Sequence, residues 1–292
     1  MLAGITVLAS AVAAGALRHR AQHGRYRFDV APVRAALIDI DGVLTVSWRP
    51  ITGAVAAVTR LRELGIAVAL LTNTTSRTRA SVASTLAEAG FPVHADDVLT
   101  APALTAGYLA THYPGARCAL LNSGDIREDL AGVTIVDDGD PAPDVVVVGG
   151  AGAEFSYPAL NQIFGYLQRG ARLVAMHRNL YWRTDAGLQL DGGAFLLGLE
   201  AAAHVAAEVV GKPAAGFFAA ALDHLGVDAS TAVMIGDDID ADVLAAQRYG
   251  ITGVLVKTGK YLPEAVAAAD GVPGHVLDSI ADVPALIEVH SV

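Results

Sequence analysis

The chain has 292 residues, 53% of them hydrophobic, with a formal net charge of -10 and a sequence pI near 5.2. That length builds one large core, or a core with an inserted module, and the acidic balance removes the attraction on which nonspecific nucleic-acid or anionic-membrane binding depends. Cys118 is the single cysteine, which excludes an intrachain disulfide and a cysteine-based zinc site and fits a reducing cytoplasm.

Residues 1–17 are apolar, uncharged and rich in Ala and Gly, and Arg18, Arg20, Arg25 and Arg27 follow them. They fall short of a membrane span and lack the basic start of a signal peptide, although Ala11-Val12-Ala13 resembles a cleavage site. An over-extended start of translation is the preferred reading, ahead of a weak membrane anchor and a secretion signal, and residues 1–32 are taken as an extension outside the fold.

From Ala35 onward, short apolar runs alternate with stretches of helical period, the pattern of a parallel sheet joined by crossover helices. The fold class is read as α/β, a Rossmann-like doubly wound core with a smaller α/β domain inserted. Strands are predicted at Ala35 to Asp41, Ile66 to Asn73, Arg117 to Asn122, Val145 to Gly149, Arg172 to His177, Ala207 to Val210, Ala232 to Asp237 and Thr252 to Lys257. Cys118 is then a packed strand residue. Leu160, Ile163, Phe164 and Leu167 follow the spacing of a buried helical stripe, with Pro158 in the first turn. Phe217, Phe218, Ala221, Leu222 and Leu225 repeat that spacing, and Gly226 sits where the helix would end. The carboxylate motifs cluster toward both ends of the chain, so residues 33–101 and 207–292 are assigned to the core and 102–206 to the insertion.

The first strand runs into Asp39-Ile40-Asp41-Gly42. Ligands of doubly wound folds sit beyond the carboxyl ends of the strands, so a reactive carboxylate is presented here; Ile40 turns to the core while Asp39 and Asp41 share the other side, and Gly42 permits close approach of the backbone. A second strand ends in Thr72-Asn73-Thr74-Thr75-Ser76, hydroxyl and amide groups able to grip phosphate oxygens. Val209-Val210-Gly211-Lys212-Pro213 places a lysine between a strand and a helix. Gly236-Asp237-Asp238-Ile239-Asp240-Ala241-Asp242 delivers a carboxylate cluster suited to a hard, oxygen-seeking cation. Singly, these segments read as a polar turn, a helix cap, a surface lysine and an acidic loop.

Taken in order, the four segments resemble the motifs of the haloacid dehalogenase superfamily, whose phosphatases carry Asp-x-Asp, Thr/Ser, Lys and Gly-Asp-Asp-x-x-x-Asp. The insertion between the second and third motifs is similar to the type IIA cap of the p-nitrophenyl-phosphatase-like branch, and Leu71 to Thr75, Glu208 to Pro213 and Met234 to Ile239 resemble the phospholysine phosphohistidine inorganic pyrophosphate phosphatase group within it. The resemblance implies a magnesium-dependent phosphatase of small phosphorylated metabolites, in which Asp39 forms an aspartyl-phosphate and Asp41 acts as acid and base. It implies that Mg²⁺ is held by Asp39, Asp237 and the backbone carbonyl of Asp41, with Asp242 and Asp238 supporting the ligands from behind. Thr72 would bind a phosphate oxygen, Asn73 and Gly42 would offer backbone donors, and Lys212 would stabilise the charge. Its cap counterpart of the leaving-group pocket is His177, Arg178 and Asn179. A homodimer through the cap is also implied.

Asp41 argues against a dehalogenase, whose family pattern lacks this second aspartate. A phosphotransferase or phosphomutase and a non-catalytic scaffold of the same fold are the alternatives. Gly149-Gly150-Ala151-Gly152 after a strand hints at a dinucleotide site, but Phe155 replaces the third glycine of that motif. Neither a Gly-x-Ser-x-Gly elbow nor a P-loop is present.

Overall fold

The computed structural model describes residues 32–137, 142–184 and 187–290. The readings made for the N-terminal extension therefore fall on residues that, up to position 31, lie outside the described ones.

The chain opens with β1 (Ala35–Asp39), the hairpin β2 (Thr45–Val46) and β3 (Arg49–Pro50), α1 (Ala54–Glu63), β4 (Ala67–Thr72), α2 (Arg79–Glu88), β5 (Val98–Thr100) and α3 (Ala101–His112). A second unit follows: β6 (Arg117–Leu121), β7 (Thr134–Ile135), β8 (Val145–Val148), α4 (Tyr157–Gln168), β9 (Arg172–Ala175), the hairpin β10 (Tyr181–Thr184) and β11 (Gly187–Leu190), α5 (Gly192–Ala203) and β12 (Glu208–Val209). The chain returns through α6 (Ala215–Leu225), β13 (Ala232–Gly236), a π-helical turn at Ile239–Leu244, α7 (Ala245–Arg248), β14 (Thr252–Val256), α8 (Pro263–Ala268), β15 (His275–Leu277) and α9 (Val283–His290).

Six strands form the main sheet in the order β15-β14-β13-β1-β4-β5, every neighbouring pair parallel. The chain builds outward from β1 in one direction and resumes at β13 in the other, so the topological switch, and the crevice it opens, lies between the ends of β1 and β13. The second sheet, β12-β9-β8-β6-β7, is also parallel. The strand read at Ala207 to Val210 belongs here: Glu208 and Val209 pair with Val174 and Ala175. The second sheet thus extends past residue 206, where the sequence reading drew the boundary of the insertion; strand length and hydrophobicity carry no information about which sheet receives a strand.

Both sheets are covered on both faces, which explains their uninterrupted apolar runs. On one face of the main sheet Ile38, Leu70, Val233, Ile235 and Val254 pack against Val58 and Leu61 of α1 and Leu86 of α2. On the other, Leu37, Leu71 and Met234 meet Phe217, Phe218 and Leu222 of α6, and this layer is continuous with Cys118, Val145, Val147 and Val174 of the second sheet. The alternate residues Val146, Val148 and Leu173 turn to Ile163 and Leu167 of α4 and Leu196 of α5. Pro158 lies in the first turn of α4 behind the Ser156 cap, and Gly226 ends α6 with φ 65°. Edge strands β5 and β15 were not read from the sequence, because three residues are too few to establish a period.

Candidate active site

Adjacent parallel strands deliver their last residues to one crevice: Asp39 from β1, Thr72 from β4, Asp237 just past β13 and Thr258 two residues past β14. Ile40 is fully buried in the core, which leaves Asp39 and Asp41 on the crevice side.

Lys212 is the hub. Its Nζ lies 2.5 Å from Asp39 Oδ1 and 2.7 Å from Asp242 Oδ1, and all three residues are buried. Burial works against the lysine's charge, but Asp242 and Asp39 outweigh it and hold the ammonium protonated. The lysine backbone is fixed by Asn73, whose Oδ1 accepts from Lys212 N at 3.0 Å and whose Nδ2 donates to Lys212 O at 2.9 Å. Asn73 was expected to offer a backbone donor to phosphate; the bracing of Lys212 is a separate task of its side chain and leaves that expectation as it stands.

Asp39, Asp237 and Asp242 each present an oxygen within 4.8 Å of the others. Burial, with the mutual repulsion of the three carboxylates behind it, raises the pKa of Asp237. Asp237 Oδ2 accepts from Lys260 N at 2.7 Å, whereas Oδ1 is buried without a partner. An orphaned, buried carboxylate oxygen facing two further carboxylates is an arrangement that a divalent cation satisfies, and the all-oxygen donor set suits Mg²⁺. Backbone approach is close enough here to demand glycine: a Cβ on Gly42 or on Gly259 would fall 1.9 Å from Asp237 Oδ2. Gly42 donates its N–H to Thr45 O at 2.7 Å and accepts from Thr258 Oγ1 at 2.5 Å. Its expected role as a phosphate donor is therefore corrected, because that N–H closes the turn after β1. Asp242 reaches Lys212 from the π-helical turn, and Asp238 caps the same turn by accepting from Asp240 N and Ala241 N at 3.1 and 3.0 Å.

Asp41 keeps contact with solvent at the mouth, yet the crowded walls of the crevice strip enough hydration to raise its pKa, outweighing the Thr74 hydrogen bond and the charges of Lys260, Lys212 and Arg77. A hydroxyl chain reaches it: Thr72 Oγ1 donates to Thr74 Oγ1 at 3.0 Å, and Thr74 Oγ1 donates to Asp41 Oδ2 at 3.2 Å.

Of the cap residues singled out in the sequence, His177 is 3% exposed, with Nε2 3.8 Å from Asp191 Oδ2 and Nδ1 accepting from Asn179 N at 3.2 Å. Burial lowers its pKa against the pull of Asp191, and the charge of Lys260 lowers it further. Arg178 is held by Glu200 of α5, and Asn179 O accepts from Gly193 N at 2.9 Å, so both are occupied in securing the loop after β9. The glycines that hinted at a dinucleotide site serve close packing: a Cβ on Gly149 would lie 2.0 Å from Asn122 Oδ1, and one on Gly150 would lie 2.5 Å from Thr75 Oγ1. Thr75 accepts from Gly150 N at 2.8 Å through its hydroxyl and from Asn122 Nδ2 at 2.9 Å through its carbonyl, which pins the loop after β4 to the second sheet. Sequence reading missed Asn122, Asp191 and the loop Thr258-Gly259-Lys260. The loop and Asn122 carried one signal, their position at the carboxyl end of a predicted strand.

Carboxylates are gathered around one lysine at the switch point of a parallel sheet, beneath a second α/β domain, the arrangement of a hydrolase. The chain belongs to the haloacid dehalogenase-like hydrolase family: that family's model matches residues 36–136, and a HAD-hydrolase-like model matches residues 209–283. Among its relatives is the phospholysine phosphohistidine inorganic pyrophosphate phosphatase of Bos taurus, 38% identical over 80% of this chain and 86% of that protein. The p-nitrophenyl phosphatase of Archaeoglobus fulgidus superposes with a TM-score of 0.80 at 29% identity, over 87% of this chain and 99% of that one. A glycerol phosphate phosphatase of Mycobacterium tuberculosis, in complex with magnesium, superposes with a TM-score of 0.76 at 27% identity, over 85% of this chain and 75% of that one. The protein is a phosphatase-type hydrolase with an α/β cap of type IIA. Among the described residues, no helix is long and apolar enough to cross a membrane.

Proposed function

We propose that the protein hydrolyses a small phosphorylated metabolite, a phosphate monoester, phosphoramidate or pyrophosphate, with Mg²⁺ as cofactor and through an aspartyl-phosphate on Asp39. The observation that carries this reading is the division of labour between Asp39 and Asp41. Burial raises the pKa of both, but Asp39 is enclosed beside the fixed charge of Lys212, which counters that rise, whereas Asp41, two residues on, is exposed at the mouth with the Thr74 hydroxyl bonded to it. The first suits a nucleophile and the second an acid.

In this reading Asp39 attacks phosphorus as the bond from phosphorus to the leaving atom, oxygen or, in a phosphoramidate, nitrogen, breaks, and the Asp41 carboxyl gives its proton to that atom. Asp41, now ionised, takes a proton from the water that attacks the phosphoryl group, which returns Asp39 as a carboxylate. Lys212 stabilises charge on Asp39 and on the transferring group. Thr72 turns its one hydroxyl proton from Thr74 to a phosphate oxygen when substrate binds, and Thr74 orients Asp41. The residues that would hold Mg²⁺ are Asp39, Asp237 and the backbone carbonyl of Asp41, with Asp242 and Asp238 behind them. Bound there, the ion supplies positive charge against the repulsion between Asp39 and the phosphate oxygens.

The cap restricts access to small substrates; residues 33–101 and 207–292 are assigned to the core and 102–206 to the cap, except that β12 (Glu208–Val209) goes with the cap sheet. Exposed Tyr181 and Leu190, paired across the β10–β11 hairpin, favour association of two copies through the cap. The buried lone thiol of Cys118 suits the cytoplasm. Asp39→Asn is expected to lower phosphate release about 10³-fold or more while the melting curve stays cooperative. Wild-type rates in that variant would overturn the mechanism.

A further inference from the structure

The loop after β14 is clamped to the catalytic turn from three sides. Thr258 Oγ1 donates to Gly42 O at 2.5 Å, Lys260 N donates to Asp237 Oδ2 at 2.7 Å, and a Cβ on Gly259 would fall 2.5 Å from Gly42 Cα. These contacts use backbone and hydroxyl groups and do not engage the Lys260 side chain, which is 59% exposed beside the catalytic turn. Its nearest acid, Asp238 Oδ2, stands 3.9 Å from Nζ, and the other oxygen of that carboxylate already caps the π-helical turn. An exposed pair at that separation contributes little, so Asp238 does not hold the ammonium.

Lys260 has a field that spans the cleft, acting on Asp39 and Asp41 on one side and on His177 of the cap on the other. Lys212, by contrast, is buried and committed to Asp39 and Asp242. Arg77, the other cation acting on Asp41, lies 4.6 Å over the Trp48 ring and donates to Thr85. A leaving group protonated by Asp41 emerges beside Lys260.

We propose that Lys260 is the specificity residue of the cleft, its ammonium receiving a second anionic group carried on the leaving-group side of the substrate. The favoured substrates are then phosphorylated acids or compounds with a second phosphate, in preference to phosphorylated neutral alcohols. This rests on the phosphatase reading for which group faces Asp41.

The test is calorimetric binding to the full chain carrying Asp39→Asn, in magnesium, of 3-phosphoglycerate, inorganic pyrophosphate and glycerol 3-phosphate. The two ligands that carry a second anionic group are expected to bind about tenfold or more tightly than glycerol 3-phosphate, the size of one charge-assisted hydrogen bond. Adding Lys260→Met abolishes that ratio, and adding Lys260→Arg keeps it. A preference confined to pyrophosphate narrows the anion to phosphate, and one confined to 3-phosphoglycerate narrows it to carboxylate. Equal affinities in the parent, or a preference that survives Lys260→Met, overturn the inference. Turnover of p-nitrophenyl phosphate by the wild type tests the phosphatase reading separately, so either can fail alone.

Discussion

Asn73 and Lys212, 139 positions apart in the chain, are joined by two reciprocal hydrogen bonds of 2.9 and 3.0 Å between one side-chain amide and one backbone peptide. The amide therefore sets where the buried ammonium meets Asp39. Asn73→Ala is expected to lower kcat between about ten- and a hundredfold, since small misplacements of catalytic groups cost that much, with KM changed far less. Steady-state kinetics decide it, and an unaltered kcat would show that Lys212 is positioned by its carboxylates alone.

Stability should respond to pH with an unusual sign. Asp39, Asp41, Asp237 and Asp242 are all raised above their ordinary values, chiefly by burial, so the folded state binds more protons than the unfolded one. Without metal, Tm is expected to fall as pH rises from about 5 to about 8. Magnesium needs the deprotonated carboxylates, so it should raise Tm most at the upper end. Thermal melts with magnesium and with chelator measure both effects. Asp237→Asn should abolish most of the magnesium shift, and a shift of wild-type size in that variant would remove Asp237 from the metal site.

Gly259→Ala places a methyl group 1.9 Å from Asp237 Oδ2 at a backbone φ of 59°. Relief of that clash moves either Asp237 or the loop, and about a tenfold increase in the magnesium concentration for half-maximal activity is expected, equivalent to about 1.4 kcal/mol. Magnesium titration of the variant reads this directly; an unchanged midpoint would mean that the loop yields without disturbing the carboxylate.

Cys118, on β6, is 1% exposed, and burial, aided by the nearby Asp144 charge, pushes its thiol up to about 11. Native protein is expected to resist iodoacetamide at pH 8 and to take up one equivalent on unfolding, as thiolate fraction and access both predict. Rapid modification without unfolding, followed by mass spectrometry, would show that the layer between the two sheets opens readily.

The residues legible in the sequence were those whose chemistry and strand-end position coincide, such as Asp39, Thr72 and Asp237. Lys212 was legible as well, though only through its order among the other motifs. What a residue does with its hydrogen bonds was less readable: the Asn73 side chain braces Lys212 from 139 positions away, and the Gly42 N–H closes a turn on Thr45. The pairing of Glu208 with Val174 and the seat of Thr75 against Asn122 depend on how two sheets stack, and no local pattern encodes that. Lys260 was overlooked for a different reason. A single lysine after a strand has no spacing signature, and its significance appears only when β14 lies beside β13.

Thr75 gives its hydroxyl to Gly150 and its carbonyl to Asn122, both in the second unit, while Thr72, three residues before it, closes the hydroxyl chain to Asp41. Core and cap are therefore riveted through the same short loop that would hold the phosphate. Any parting of the two units wide enough to admit a ligand must first unfasten that loop, and their return must reset it.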